Sequence, residues 1–194
     1  MKICVFGSAS DKIDKIYIEK TYELCFDLAK RGHSLVFGAG GEGLMGAAAR
    51  GFRDGGGKIH GVIPKFFDEN GYEAIYREAD VLTFTDTMAE RKKIMEDDCE
   101  AFIIVPGGIG TFEEFFEILT LKQLGRHAKA IAIYNVNGYY DVMSKMLKSA
   151  VDQKFVNAEC YKLAAAFDNK DEIIKYVENY SADDVKWSSL KRNG

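Results

Sequence analysis

Short apolar runs alternate with longer amphipathic segments along the whole chain. Lys2-Ile3-Cys4-Val5-Phe6 is apolar and β-branched, which predicts a first strand ending at Gly7-Ser8-Ala9-Ser10. A helix is expected from about residue 14 to 31, with Ile13, Tyr17, Leu24 and Leu28 near one face and Gly32 ending it. Ser34-Leu35-Val36-Phe37 predicts a second strand, followed by a glycine-rich turn and a helix of small residues to about Arg53. Asp54-Gly55-Gly56-Gly57 reads as a turn, and residues 58–63 as a third strand stopped by Pro64. Residues 66–76 read as a mixed loop able to hold a short helix. A fourth strand is expected at 79–84 and a helix over 88–98.

The fifth apolar run, Ala101-Phe102-Ile103-Ile104-Val105, enters a glycine turn that opens a helix. In that helix Phe112, Phe115, Phe116 and Leu119 share one face by 3.6-residue periodicity. A sixth strand (129–134), a helix (139–153), a short last strand (163–167) and a last helix (171–179) complete the pattern. Strands alternating with helices predict an α/β protein, a doubly wound and mainly parallel sheet of about seven strands with helices on both faces. Residues 1–180 read as one domain. Residues 181–194 are polar apart from Val185, Trp187 and Leu190, and read as a surface tail docked through Trp187. Ligands of such sheets bind at the carboxyl ends of the strands, near the point where strand order reverses. The glycine turns after strands one, two and five all fall at those ends.

Composition narrows the function. The chain has 194 residues, a formal net charge of −4 and a pI of about 5.5. That balance gives no electrostatic footprint for nucleic acid or an anionic membrane. No apolar run reaches the roughly 18 residues of a membrane span, and the apolar start is too short for a signal peptide. Cys4, Cys25, Cys99 and Cys160 form no CxxC pair and read as buried reduced thiols. A cytoplasmic protein is expected.

The candidate chemistry centres on Val105-Pro106-Gly107-Gly108-Ile109-Gly110-Thr111-Phe112-Glu113-Glu114. Unpaired N–H groups and the positive end of a helix dipole meet at such a turn, which makes an anion site. No Lys follows the last glycine, so this is not a triphosphate-binding loop. Gly38-x-Gly40-x-x-Gly43 formally fits the dinucleotide fingerprint, but it follows the second strand and lacks the acidic residue that holds a ribose diol. Its glycines read better as shaping a mononucleotide pocket. Thr111-x-x-Glu114 and Thr87-x-x-Glu90 both fit the capping-box pattern, so residue chemistry alone leaves Glu114 open between cap and catalyst. Glu113 and Glu117 read as solvated helix charges. Arg91 and Lys92 open a helix, where the dipole gives cations nothing, so an anionic partner is expected for them. Ser8 and Ser10 lie on the first carboxyl-end turn, within reach of a ligand. His33, His60 and His127 fit no metal-ligand spacing, and no nucleophile elbow exists. Neither a metal nor a cofactor is expected.

Three of these stretches resemble the LONELY GUY (LOG) family. Pro106-Gly107-Gly108-x-Gly110-Thr111-x-x-Glu114 is similar to its PGGxGTxxE signature, Met88-x-x-Arg91-Lys92 to its MxxRK, and residues 38–46 to its GGGxxGLMG. Ala39 stands where that family has a third glycine, and Ala89 where it often has His. The resemblance implies a Rossmann-like fold and a cytokinin riboside 5′-monophosphate phosphoribohydrolase, which cleaves an adenine-type base from ribose 5-phosphate with water. It implies Arg91 and Glu114 as catalytic residues. Met88, Lys92, Gly107, Gly108, Gly110, Thr111, Gly40, Gly41 and Ser8 would bind the substrate, a small nucleoside monophosphate. It also implies a homodimer. Family members have been labelled lysine decarboxylases, though nothing in the chain supports pyridoxal phosphate chemistry. Molybdenum-cofactor carriers share the general fold and glycine pattern, so a non-catalytic nucleotide or cofactor carrier is the alternative.

Overall fold

The computed structural model describes residues 1–70, 74–185 and 190. Strands and helices alternate as β1 (Lys2–Phe6), α1 (Lys15–Lys30), β2 (Ser34–Phe37), α2 (Gly43–Gly55), β3 (Ile59–Pro64), α3 (Lys65–Asn70), β4 (Val81–Thr85) and α4 (Met88–Asp98). The second half runs β5 (Ala101–Ile104), α5 (Ile109–Gln123), β6 (Ala130–Tyr134), α6 (Asp141–Asp152), β7 (Ala165–Phe167) and α7 (Lys170–Asn179). Trp187, the expected anchor of the tail, lies outside the described residues.

All seven strands are parallel, in the order β4-β3-β2-β1-β5-β6-β7. Side chains alternate across each strand. Ile3 and Val5 of β1 therefore enter one core with Leu24 and Leu28 of α1, Ala48 of α2 and Ile173 of α7. Cys4 and Phe6 enter the other with Met95 of α4, Phe115 of α5 and Met143 of α6. Both faces are covered, which is why the inner strands read as unbroken apolar runs rather than alternating ones. Strand order reverses at β1, which pairs with β2 on one edge and β5 on the other. The loops leaving β1 and β5 are tied together across that point, Ser8 N–H donating to the Pro106 carbonyl at 3.1 Å.

The helix starts separate two sequence patterns that look alike. Thr87 caps α4 with a complete capping box, its side chain accepting from Glu90 N–H while Glu90 returns to the Thr87 backbone. The equivalent box expected at Thr111 and Glu114 does not form. α5 begins earlier, at Ile109, and its cap residue is Gly108, with no side-chain cap bond. The cause is that the helical ladder already opens with Phe112 N–H on the Gly108 carbonyl, at 3.0 Å. Thr111 is thus inside the first turn of the helix, and Glu114 one turn deeper.

Candidate active site

A cleft of about 270 Å³ opens at the switch point, over the carboxyl ends of β1 and β5. Backbone-rich positions Gly7, Ser8, Gly108, Gly110 and Thr111 line it together with the apolar side chains of Met45 of α2, Phe67 of α3 and Met88 of α4. Arg91 and Glu114 line the same cleft.

Arg91 projects from the first turn of α4. Its Nη1 lies 3.6 Å from Glu114 Oε1, with the two side chains 11% and 10% exposed. Its Nε donates to the Val62 carbonyl at 3.2 Å, and Nη1 lies 3.9 Å from the Met88 sulfur. A β3 carbonyl, a thioether and a carboxylate thus surround one guanidinium, the carbonyl by a hydrogen bond and the carboxylate as an ion pair. The carboxylate it meets is on α5, which supplies the anionic partner that a cation at a helix start requires. Burial strengthens such a pair by excluding competing water.

The other expected site residues divide. Ser8, Met88, Gly108, Gly110 and Thr111 line the cleft. The Ser8 hydroxyl accepts from Ser10 N–H at 3.0 Å, while its carbonyl accepts the Leu44 N–H of α2 at 2.8 Å. Gly107 sits just behind the cleft wall, packed so closely on Thr111 that an added Cβ would lie 2.1 Å from Oγ1. Lys92 turns toward α5, where it pairs with Glu113 and with Glu117, the latter at 2.6 Å. Burial pushes its ammonium pKa down, but the two carboxylates outweigh that and hold it above the ordinary lysine value. Glu113 and Glu117 are therefore its counter-ions rather than simply solvated charges. Gly40 and Gly41 are engaged elsewhere. Gly40 forms an antiparallel bridge with Ile75, and Gly41 N–H donates to the Ala74 carbonyl at 2.6 Å. Ala39, where the LOG pattern has glycine, holds a left-handed φ of 60°, a conformation that glycine adopts without strain.

Met45 and Phe67 were not expected in the site. Met45 lies in the stretch matching GLMG, so a signal was present. Phe67 sits in what the sequence presents as a mixed loop, and nothing in its local pattern marks it. Gly38 was visible only as part of a glycine run, yet it borders the catalytic candidates directly, beside the Arg91 guanidinium. Among the described residues, no helix is long and apolar enough to cross a membrane.

A doubly wound parallel sheet with a buried Arg–Glu pair in a cleft at its switch point defines an α/β protein of Rossmann-like fold. The chain belongs to the LOG family: residues 45–177 match the family profile described as possible lysine decarboxylase. It is 36% identical to cytokinin riboside 5′-monophosphate phosphoribohydrolase LOG2 of Arabidopsis thaliana over 181 residues, 92% of this chain and 83% of that protein. It is 35% identical to LOG4 of the same plant over 182 residues, 93% of this chain and 83% of that one. Among solved structures, the molybdenum cofactor carrier protein of Chlamydomonas reinhardtii shares the fold, with a TM-score of 0.69 and 21% identity over 91% of this chain and 95% of that one. The molybdenum cofactor binding protein of Rippkaea orientalis does so with a TM-score of 0.67 and 17% identity, over 91% and 93%.

Proposed function

We propose that this protein hydrolyses the N-glycosidic bond of adenine-type nucleoside 5′-monophosphates, AMP or a cytokinin riboside 5′-monophosphate, to free base and ribose 5-phosphate. The observation that carries this reading is the buried Arg91–Glu114 pair in the wall of one cleft that is lined both by the glycine turn and by apolar Met45, Phe67 and Met88. A nucleotide laid along it puts its phosphate on Gly108, Gly110 and Thr111, and its base against Met45, Phe67 and Met88. The sugar then lies over the carboxylate.

Cleavage passes through an oxocarbenium-like sugar. The bonding pair leaves with the base, which takes a proton, and water supplies hydroxide to the anomeric carbon. Glu114 stabilises the developing cation and orients that water. Arg91 holds Glu114 in place through a charge-assisted contact. Binding the phosphate at a distance orients the reacting carbon without touching it. Lys92 contributes by holding Glu113 and Glu117 rather than by contact with the nucleotide. Gly40 and Gly41 contribute by fixing the segment at 74–76. No metal or organic cofactor takes part.

The same reading makes the protein a cytoplasmic homodimer, with α4 and α5 packed across a two-fold axis. Phe112, Phe116 and Leu119 of α5 are only partly covered within one chain, and closed two-fold dimers are the commonest oligomers. The test of function is incubation with AMP and with N6-isopentenyl-AMP, followed by assay of free base and ribose 5-phosphate. Release of both products supports hydrolysis. Binding without release returns the protein to the carrier alternative.

A further inference from the structure

Three consecutive carbonyls of the turn between β5 and α5 are occupied from outside the turn. Val105 O accepts from the Tyr140 hydroxyl at 2.8 Å, Pro106 O from Ser8 N–H at 3.1 Å, and Gly107 O from the Tyr139 hydroxyl at 2.7 Å. In a planar trans peptide the carbonyl of one residue and the N–H of the next point opposite ways. Pinning the Gly107 carbonyl therefore fixes the direction of the Gly108 N–H. Pinning the Pro106 carbonyl does the same for Gly107 N–H.

The two tyrosines are themselves well held. They follow a tight turn in which Asn137 takes a left-handed φ of 52°. Asn135 braces that turn, its Oδ1 accepting Tyr140 N–H at 2.7 Å and its Nδ2 donating to Asp141 and Asp168. Tyr140 is buried, and burial holds its phenol in the protonated, donating form. Tyr139 is 40% exposed and packs edge-on against Tyr140 at 5.0 Å and against Tyr17 of α1 at 5.9 Å. Gly108, Gly110 and Thr111 line the cleft; Tyr139 is not among the described residues that do.

We propose that Tyr139 is a positioning residue for phosphate recognition, its hydroxyl gripping the Gly107 carbonyl so that the Gly108 N–H faces the bound phosphate. The inference rests on the glycine turn being the phosphate site of the function proposed above. Tyr139 touches no substrate. It acts through one peptide plane, and Tyr140 and Ser8 steady the planes before it.

The test compares wild type, Tyr139→Phe and Tyr139→Ala by calorimetric titration with AMP, ribose 5-phosphate and adenosine, alongside steady-state kinetics and melting temperature. Tyr139→Phe keeps both ring contacts and removes only the hydroxyl. It is expected to weaken AMP and ribose 5-phosphate by about tenfold, equivalent to about 1.4 kcal/mol. KM for AMP should rise by the same factor with kcat within about twofold, adenosine affinity unchanged, and the melting temperature within about 2 °C. Tyr139→Ala should bind phosphate no worse than Tyr139→Phe. The proposal is overturned if Tyr139→Phe binds AMP like wild type, which would leave a packing role for the ring alone. It is equally overturned if AMP and adenosine weaken together. The proposed hydrolysis fails separately, if wild type binds AMP and ribose 5-phosphate but releases no adenine. The titrations still decide the role of Tyr139 in that event. A wild type that binds neither phosphate overturns both.

Discussion

A Cβ built on Gly38 would lie 1.7 Å from Nη2 of Arg91. The end of β2 therefore supplies the space in which the guanidinium from α4 reaches Glu114. Gly38→Ala puts a methyl group into that space. The obstructed atom is the end of a flexible side chain, so Arg91 swings away at little cost to the fold. We expect turnover to drop by about a hundredfold, or about 2.7 kcal/mol, with a near-native melting temperature. A fully active Gly38→Ala enzyme would show that the position of Arg91 does not matter.

Glu114→Gln tests the carboxylate itself. Glu114 lies inside α5, well past the cap at Gly108, so the change removes no capping bond. Adenine release should fall by orders of magnitude while AMP still binds. Arg91→Ala should be similarly inactive, and the double variant little worse than either single one, as for groups acting as a unit. Normal adenine release by Glu114→Gln would place the catalytic carboxylate elsewhere.

Gly107→Ala tests the phosphate end. The new Cβ would meet Thr111 Oγ1 at 2.1 Å, forcing the turn and the first turn of α5 apart. AMP cleavage should suffer far more than adenosine cleavage, because a phosphate held by several charge-assisted bonds gains about 1.5–3 kcal/mol from each. Parallel losses on both substrates would remove the phosphate cradle from the mechanism.

His127 predicts an acid limb of stability. Its Nε2–H donates to the Ile118 carbonyl at 2.8 Å and its Nδ1 accepts Lys129 N–H at 3.2 Å, which fits only a neutral ring. Burial, reinforced by Lys122 and Lys129, pushes its pKa down to about 4 from 6.5. Between those values the unfolded chain binds the proton and the folded one does not. The contribution is complete above pH 6.5 and is lost as pH falls through 4. The ring is only partly buried, so solvent screening limits the effect to about 1–2 kcal/mol. Thermal melts of His127→Gln should show a flatter pH dependence than wild type across this window. Identical slopes would refute the assignment.

The proposed dimer is tested by mass. Light scattering at micromolar concentration should give about twice the 21.7 kDa of one chain. A purely monomeric protein would leave the partly covered face of α5 without a partner.

The alternation of apolar runs placed the seven strands, most clearly the inner ones, which are buried on both faces; β4 and β7 at the edges are only partly covered. The ends of elements were harder where backbone rather than side chains sets them. The start of α5 is the clearest case. Thr111 and Glu114 carry the spelling of a capping box, but the glycines before them were free to enter the helix first. Arg91 and Glu114 were legible through their motifs, but their pairing was not legible from strand order: α4 follows the edge strand β4, and Arg91 reaches Glu114 by crossing the ends of β3 and β2. The fate of Lys92 was not legible, since its counter-ions lie on another helix, 21 and 25 residues on. Phe67 was invisible as a site residue for the same reason: it reaches the cleft only through tertiary packing.

Strand order also governs when the site can exist. β1 to β4 follow one another outward along one half of the sheet, each docking on the strand made just before it. The other half starts only when β5 returns to the open edge of β1, pairing Ala101 with Ile3 across nearly a hundred residues. Closing so long a loop is slow and gains nothing until the strands meet. Without that pairing the chain has Gly38 and Arg91 but neither the crevice nor the carboxylate beside them. The candidate site therefore depends on the docking of β5 on β1. A weakened contact along that seam should cost the cell active enzyme by slowing maturation, even where the finished protein is sound.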